Sequence, residues 1–278
     1  MMELREILTL LKKHGIRLKK KLSQVLLINE FFLRHIAREA RKLLGREVIE
    51  LGAGPGNLTK YLLDEGLEVV AVEIDGRFAP ILRELQRVYP SLHPVIADCI
   101  PLLETPLIPR YVVGNVPYHV SSDILVAIAR SRTQAALITL QKEVAERLVA
   151  KPGCSAYGRL SVLMQLVFDV EQRLVIPPSA FMPQPDVYST TVLLVRKRAY
   201  DELLAELENV TRCLFSYRNK LLRKALRKCF GEIWCEIWNH LSEVDESTRV
   251  YQLEPRKFLE ITCIVVELRR RGKFVSTT

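Results

Sequence analysis

The sequence predicts an α/β protein: a Rossmann-like domain with a mostly parallel sheet over residues 1–197, then a small all-helical domain over 198–278. Three features carry that prediction. Strand-like apolar runs and amphipathic helix patterns alternate from Val48 to about Ala150, as in parallel strands joined by right-handed crossovers. Within that stretch, VIELGAGPGNLT (Val48 to Thr59) reads as a buried strand, a glycine turn and a helix start. Beyond about Lys197 the pattern becomes helical and strongly charged to the C-terminus.

In chain order, Leu4, Ile7, Leu8 and Leu11 recur at helical spacing among charges, which predicts an amphipathic helix rather than a signal peptide. His14, Arg17, Lys19, Lys20 and Lys21 form a basic segment, either an arm that meets phosphates or a solvated linker. Gln24, Val25, Leu26 and Leu27 precede a helix expected to bury Phe31, Phe32, Leu33, Ile36, Ala40 and Leu43 and to stop at Gly45. Strands are then expected near 47–51, 69–74, 94–97, 111–114 and 135–140, with helices near 57–65, 78–88, 121–131 and 142–150.

The glycine turn is the first candidate site. Gly52, Gly54 and Gly56 allow a sharp turn and close approach of a ligand, and Asn57 is expected to cap the following helix. The spacing is G-x-G-x-G, with Asn57 where a dinucleotide fold would place its third glycine. Together with Glu50, that is the form used by S-adenosylmethionine (SAM) methyltransferases; a tight turn without a ligand is the bland alternative. Glu73 ends the second strand, about 20 residues further on, where an acid can accept hydrogen bonds from both ribose hydroxyls of a nucleoside. Asp98 ends the third strand, where a carboxylate can take a hydrogen bond from the amino group of an adenine, or merely close a turn.

The fourth strand runs into Asn115-Val116-Pro117-Tyr118. An exocyclic adenine amine is a poor nucleophile because its lone pair is delocalised into the ring. Acceptors that hold its N–H groups can steer the lone pair toward an electrophile. The Asn115 side-chain oxygen and the Val116 carbonyl can do this, Pro117 stiffens the turn, and Tyr118 offers a face for a flipped-out base. A β-turn chosen for geometry is the alternative. No general base is required, so His119 reads as structural or peripheral. Further on, the KPGCSAYG loop either orders against a substrate or only connects, and Arg159 near its end could meet phosphate. Phe181, in a proline-rich turn, reads as a second stacking ring or as core, ahead of an edge-like strand near 189–195.

The net charge of +9 and pI of about 9.3 favour an acidic partner such as nucleic acid. The run TRCLFSYRNKLLRKALRKCF predicts a basic helix over 212–228 carrying Arg212, Arg218, Lys220, Arg223, Lys224, Arg227 and Lys228. Its apolar face holds Leu214, Leu221, Leu222, Ala225, Leu226 and Phe230. A last helix is expected near 254–270, ending in Arg269, Arg270 and Arg271. The six cysteines lack paired C-x-x-C spacing, which predicts reduced, mostly buried thiols in a cytoplasmic protein. Scattered histidines predict no metal site, and no apolar run approaches a membrane span.

Over Leu22 to about Leu259 the sequence resembles the small-subunit ribosomal RNA adenine N6-dimethyltransferases, the KsgA family. The resemblance rests on SQVLLIN, VIELGAGPGNLT, VVAVEID, VIADCI, GNVPYHVSS, QKEVAERLVAKPG, AYGRLSV, PPSAFMPQPDVYST and FSYRNKLLRKAL. It implies a seven-stranded Rossmann-like methyltransferase domain with SAM as donor. It implies two methylations on each of two adjacent adenines near the 3′ end of small-subunit rRNA, within the pre-ribosomal small subunit, by a monomer. The cofactor would be held by Gln24, Val25, Leu27, Glu50, Gly52, Gly54, Glu73, Ile74, Asp98, Cys99 and Asn115. The catalytic set would be Asn115, Val116, Pro117, Tyr118 and Phe181. Arg218, Lys220, Arg223, Lys224, Arg227 and Lys228 would grip rRNA. One departure is clear: the family usually reads Gln-Asn-Phe-Leu or Gln-His-Phe-Leu where this chain has Gln24-Val25-Leu26-Leu27. Three rivals follow: a non-catalytic assembly factor, a single-site large-subunit rRNA adenine methyltransferase, and an NAD-dependent oxidoreductase, which Asn57 disfavours.

Overall fold

The computed structural model describes residues 4–16, 25–105 and 109–272. The chain forms two compact units: one from residues up to Ala145 plus Asp169–Arg196, the other from Glu146–Phe168 plus residues from Lys197 onward. In order, the elements are α1 (Leu4–Lys13), β1 (Leu26–Leu27), α2 (Glu30–Leu43), β2 (Glu47–Leu51), α3 (Asn57–Asp64), β3 (Glu68–Glu73) and α4 (Ala79–Val88). Then come β4 (Leu92–Ile96), α5 (Cys99–Leu103), β5 (Tyr111–Asn115), α6 (Ser121–Arg130), β6 (Ala135–Gln141), α7 (Lys142–Val149) and α8 (Arg159–Val167). The chain continues with β7 (Phe168–Ile176), β8 (Phe181–Met182), β9 (Ser189–Arg196), α9 (Glu202–Ser216), α10 (Leu222–Phe230), α11 (Trp234–His240) and α12 (Pro255–Arg270).

The first unit is a seven-stranded sheet of order β4-β3-β2-β5-β6-β9-β7. Neighbours from β4 to β6 pair in parallel, and β9 is antiparallel to β6. Strand order reverses between β2 and β5, which opens the crevice where such sheets bind ligands. The inner strands are apolar throughout because both faces are covered: Val48, Ile49, Leu51, Val112, Val113, Leu137 and Ile138 are at most 1% exposed. Gly114 is required where β5 passes β2, since a Cβ there would lie 2.6 Å from the Leu51 carbonyl oxygen. The strand at 189–196 is interior, not edge-like. β7 covers it, and the consecutive polar residues Glu171, Gln172 and Arg173 interrupt the alternation that would have marked that strand in the sequence.

Two helices depart from expectation. α2 buries Leu33, Ile36, Ala37 and Ala40, yet Phe31 is 65% exposed. In the second unit, the basic helix expected over 212–228 is two helices. α9 stops at Ser216, and extended Leu221 opens α10, with the Leu222 N–H donating to the Thr248 carbonyl at 2.8 Å. Packing of α9 on α10 places Cys213 and Cys229 with Cα atoms 5.8 Å apart, and they form a disulfide. Cys154, Cys235 and Cys263 are exposed and Cys99 is half-buried, so reduced and mostly buried thiols is not what the structure shows.

Residues 146–168 also move from the first domain expected to end at 197 into the second unit. Tyr157 explains why. It is fully buried, its hydroxyl donates to the Leu253 carbonyl at 2.8 Å, and its ring lies 6.0 Å from Phe215, which stacks on Phe258. The KPGCSAYG loop is held in the same unit by Gly153 N–H to the Tyr251 carbonyl, and Arg159 begins α8 exposed to solvent. Among the described residues no helix is long and apolar enough to cross a membrane, and no three His, Cys, Asp or Glu side chains gather as they would around a metal ion.

Candidate active site

The glycine turn leaves β2 and is fastened to the next strand, because Gly52 N–H and Ala53 N–H both donate to the Val72 carbonyl, at 2.9 and 3.1 Å. Gly52, Gly54 and Gly56 take φ of 73°, 54° and 89°, a region that side chains disfavour. Gly56, not Asn57, caps α3. Asn57 is the first helical residue, and its side-chain N–H donates to the Leu27 carbonyl at 3.0 Å, tying β1 to the turn. β1 in turn pairs with β8, Leu27 opposite Phe181.

These strand ends enclose a cavity of about 550 Å³, within the size range of small-molecule sites. Val25, Leu27, Glu50, Gly52, Gly54, Glu73, Ile74, Asp98, Cys99, Asn115 and Pro117 line it. Gln24 lies outside the described residues, as does the basic segment from Arg17 to Lys21. Phe78, Ile100 and Ile124 complete apolar walls that no local sequence signal marked.

Each polar group has a distinct setting. Glu73 accepts from Gly54 N–H and Asp75 N–H, both at 2.8 Å, one on each carboxylate oxygen. Burial still raises its pKa. Asp98 accepts from Ile100 N–H at 2.9 Å through one oxygen and so caps α5. Glu50 is 2% exposed, and one of its oxygens has no partner among the described residues. Burial, reinforced by the nearby Glu73, pushes its pKa up to about 8. The Cys99 thiol is pushed up to about 11 by burial, which keeps it protonated at neutral pH.

Asn115 ends β5 with its side chain fixed: the amide N–H donates to the Val25 carbonyl at 3.0 Å. Its oxygen is buried and has no partner among the described residues. This places the amide as an acceptor at the cavity wall, while Val25 contributes its backbone. Tyr118 is half-buried outside the lining set, its hydroxyl 2.7 Å from the Ser189 hydroxyl. Val116 is 1% exposed and its side chain belongs to the core. Phe181 is 3% exposed in the apolar cluster with Leu27, Ile176 and Ala180, so the stacking role expected for it is corrected to core packing. His119 is exposed at the cavity rim.

The polypeptide matches the family model for ribosomal RNA adenine dimethylases over residues 15–266. The chain belongs to that family. It is 38% identical to the ribosomal RNA small subunit methyltransferase A of Gluconobacter oxydans, covering 90% of this chain and 84% of that protein. It is 35% identical to a probable enzyme of the same name from Methanopyrus kandleri, covering 91% and 94%. Among solved structures, a dimethyladenosine transferase from Plasmodium falciparum aligns with a TM-score of 0.70 at 26% identity, over 89% of this chain and 98% of that one. The 23S rRNA methyltransferase ErmE aligns with a TM-score of 0.63 at 26% identity, over 86% and 99%. The dimethylase fold is thus shared with an enzyme that acts on 23S rRNA.

In the second unit the cations expected to meet rRNA fall into two groups. Arg218 donates to the carbonyls of Ser155 and Cys154, at 2.9 and 3.2 Å, and lies over the Tyr251 ring. Arg223 pairs with Glu246 at 3.0 Å and lies over Trp234 and Trp238. Both are half-buried and engaged within the fold. Lys220, Lys224, Arg227 and Lys228 are exposed.

Proposed function

We propose that this chain transfers methyl groups from SAM to N6 of two adjacent adenines in the 3′-terminal hairpin of small-subunit rRNA, giving N6,N6-dimethyladenosines. The observation that supports it best is the unpartnered, buried Asn115 oxygen at the end of β5. A buried acceptor without a donor is costly, and an incoming adenine N–H supplies that donor.

The cavity residues fit the cofactor. Both Glu73 oxygens are oriented by backbone N–H groups and keep lone pairs for ribose hydroxyls. Asp98 uses one oxygen for its helix cap and has the other for an adenine amine. Gly52 and Gly54 allow the chain to approach closely, and Glu50, protonated in its buried setting, lines the wall where a cationic amine would draw that proton off. Bound there, SAM supplies a methyl group on a cationic sulfur and leaves as a neutral thioether.

The protein's own part is alignment. Asn115 and the Val116 carbonyl accept the two N–H groups of the target amine, so its lone pair faces the methyl carbon. The nitrogen gains a carbon bond, the former carbon–sulfur pair stays on sulfur, and the surplus N–H proton passes to water. Such positioning can account for about 7–11 kcal/mol of barrier lowering. Lys220, Lys224, Arg227 and Lys228 contact rRNA phosphates, and a monomer acts on the pre-ribosomal small subunit in the cytoplasm. Val25 does not argue for a non-catalytic factor. Its contact with Asn115 runs through a backbone carbonyl, which any residue provides.

Incubating unmethylated small subunits with protein and SAM, then mapping by primer extension, tests this. Two adjacent modified adenines near the 3′ end support it. A single modified adenine in large-subunit rRNA, or none despite calorimetric SAM binding, overturns it.

A further inference from the structure

The Tyr118 ring is held at both ends. On the backbone side, the Ser121 hydroxyl donates to the Tyr118 carbonyl at 3.0 Å, and Val120 N–H closes the same turn onto the Pro117 carbonyl. At the far end the phenol hydroxyl meets Ser189 at 2.7 Å. Ser189 is a rigid partner. It is fully buried at the start of β9, an interior strand, in register with Gln141, and Lys142 N–H donates to the adjoining Tyr188 carbonyl at 2.9 Å. The ring therefore cannot swing without breaking a hydrogen bond to a group that cannot follow it.

From this geometry we infer that Ser189 is a positioning residue that fixes the plane of the stacked base and is needed most for the second methyl transfer. This rests on the reading of Tyr118 as the stacking ring. The unmethylated amine offers two N–H groups to its acceptors, so hydrogen bonds alone define its plane. After one transfer a single N–H remains, and one acceptor loses its donor. Stacking on Tyr118 then carries more of the alignment, while the pocket must also seat the first methyl. A ring free to tilt costs the first transfer little and the second transfer more. The bond changes are those of each ordinary transfer: nitrogen–carbon forms, carbon–sulfur breaks, and the amine proton leaves to water.

The test is single-turnover methylation of unmodified small subunits with excess enzyme and SAM, with mono- and dimethyladenosine followed by mass spectrometry. Ser189→Ala should raise the mono-to-dimethyl ratio at matched total methylation by about 2- to 10-fold, the worth of one hydrogen bond. Tyr118→Phe keeps the ring and leaves Ser189 in place, so it probes the same hydrogen bond if the serine variant folds poorly. It should shift the ratio equally, and the double variant should shift it no further. Calorimetric SAM affinity should be unchanged in all three. An unchanged ratio, with both transfers slowed alike, overturns the role of Ser189. Failure of the wild type to form dimethyladenosine overturns the functional proposal instead.

Discussion

Glu50 is buried and Asn115 half-buried, and each has one buried side-chain oxygen lacking a partner among the described residues. For Glu50 the consequence is a pH dependence. Its folded pKa of about 8 lies above its ordinary 4.5, so the folded chain keeps a proton that the unfolded chain gives up. Stability at this group therefore falls as pH rises from about 5 to about 8. Glu50→Gln removes that dependence. Urea unfolding should show the variant gaining on the wild type across this window, and parallel pH profiles would contradict it. Residue types and spacing pointed to Asn115, Glu73, Gly52 and Gly54, and all four line the cavity. Phe181 was not legible: an aromatic ring between prolines suits a stacking platform and a core position equally, and only the pairing of β8 with β1 decides it. Asn57 was similarly opaque, since its partner is a carbonyl of the distant β1.

At the scale of elements, the parallel strands were readable to within a residue or two, because strands buried on both faces are continuous apolar runs. β7 was not readable, since its exposed polar residues break that pattern. The split between α9 and α10 was hidden by an unbroken basic composition, and it changes which cations are available. Charge reversal at Lys224 and Arg227, exposed on α10, should reduce the dependence of rRNA affinity on log salt by about 0.7–0.9 for each phosphate no longer neutralised. Arg223→Ala, which removes an ion pair and two ring interactions, should lower stability without changing that slope. Filter binding across a salt series separates the two. A shallower slope in the Arg223 variant would return that residue to the RNA surface. Tyr157→Phe leaves the Leu253 carbonyl unpaired and should destabilise the second unit by about 1–3 kcal/mol, read as a lowered calorimetric midpoint.

For the whole molecule, the division of labour is a sheet whose strand ends enclose the cavity and a helical unit that displays exposed cations. The boundary was misplaced in the sequence because α8 and its loop precede the last strands of the sheet but pack elsewhere. AYGRLSV is a structural motif of the second unit: Tyr157 is in its core, and Ser161 hydroxyl donates to the Arg147 carbonyl. The central claim is that the fixed Asn115 amide of the first unit holds the target amine. The most direct test is mass spectrometry of small-subunit rRNA treated with Asn115→Ala protein, with SAM binding checked by calorimetry. Dimethyladenosine formation should fall by at least about 100-fold, as for removal of one preorganised polar group around a reacting centre. Formation at the wild-type rate would contradict the account.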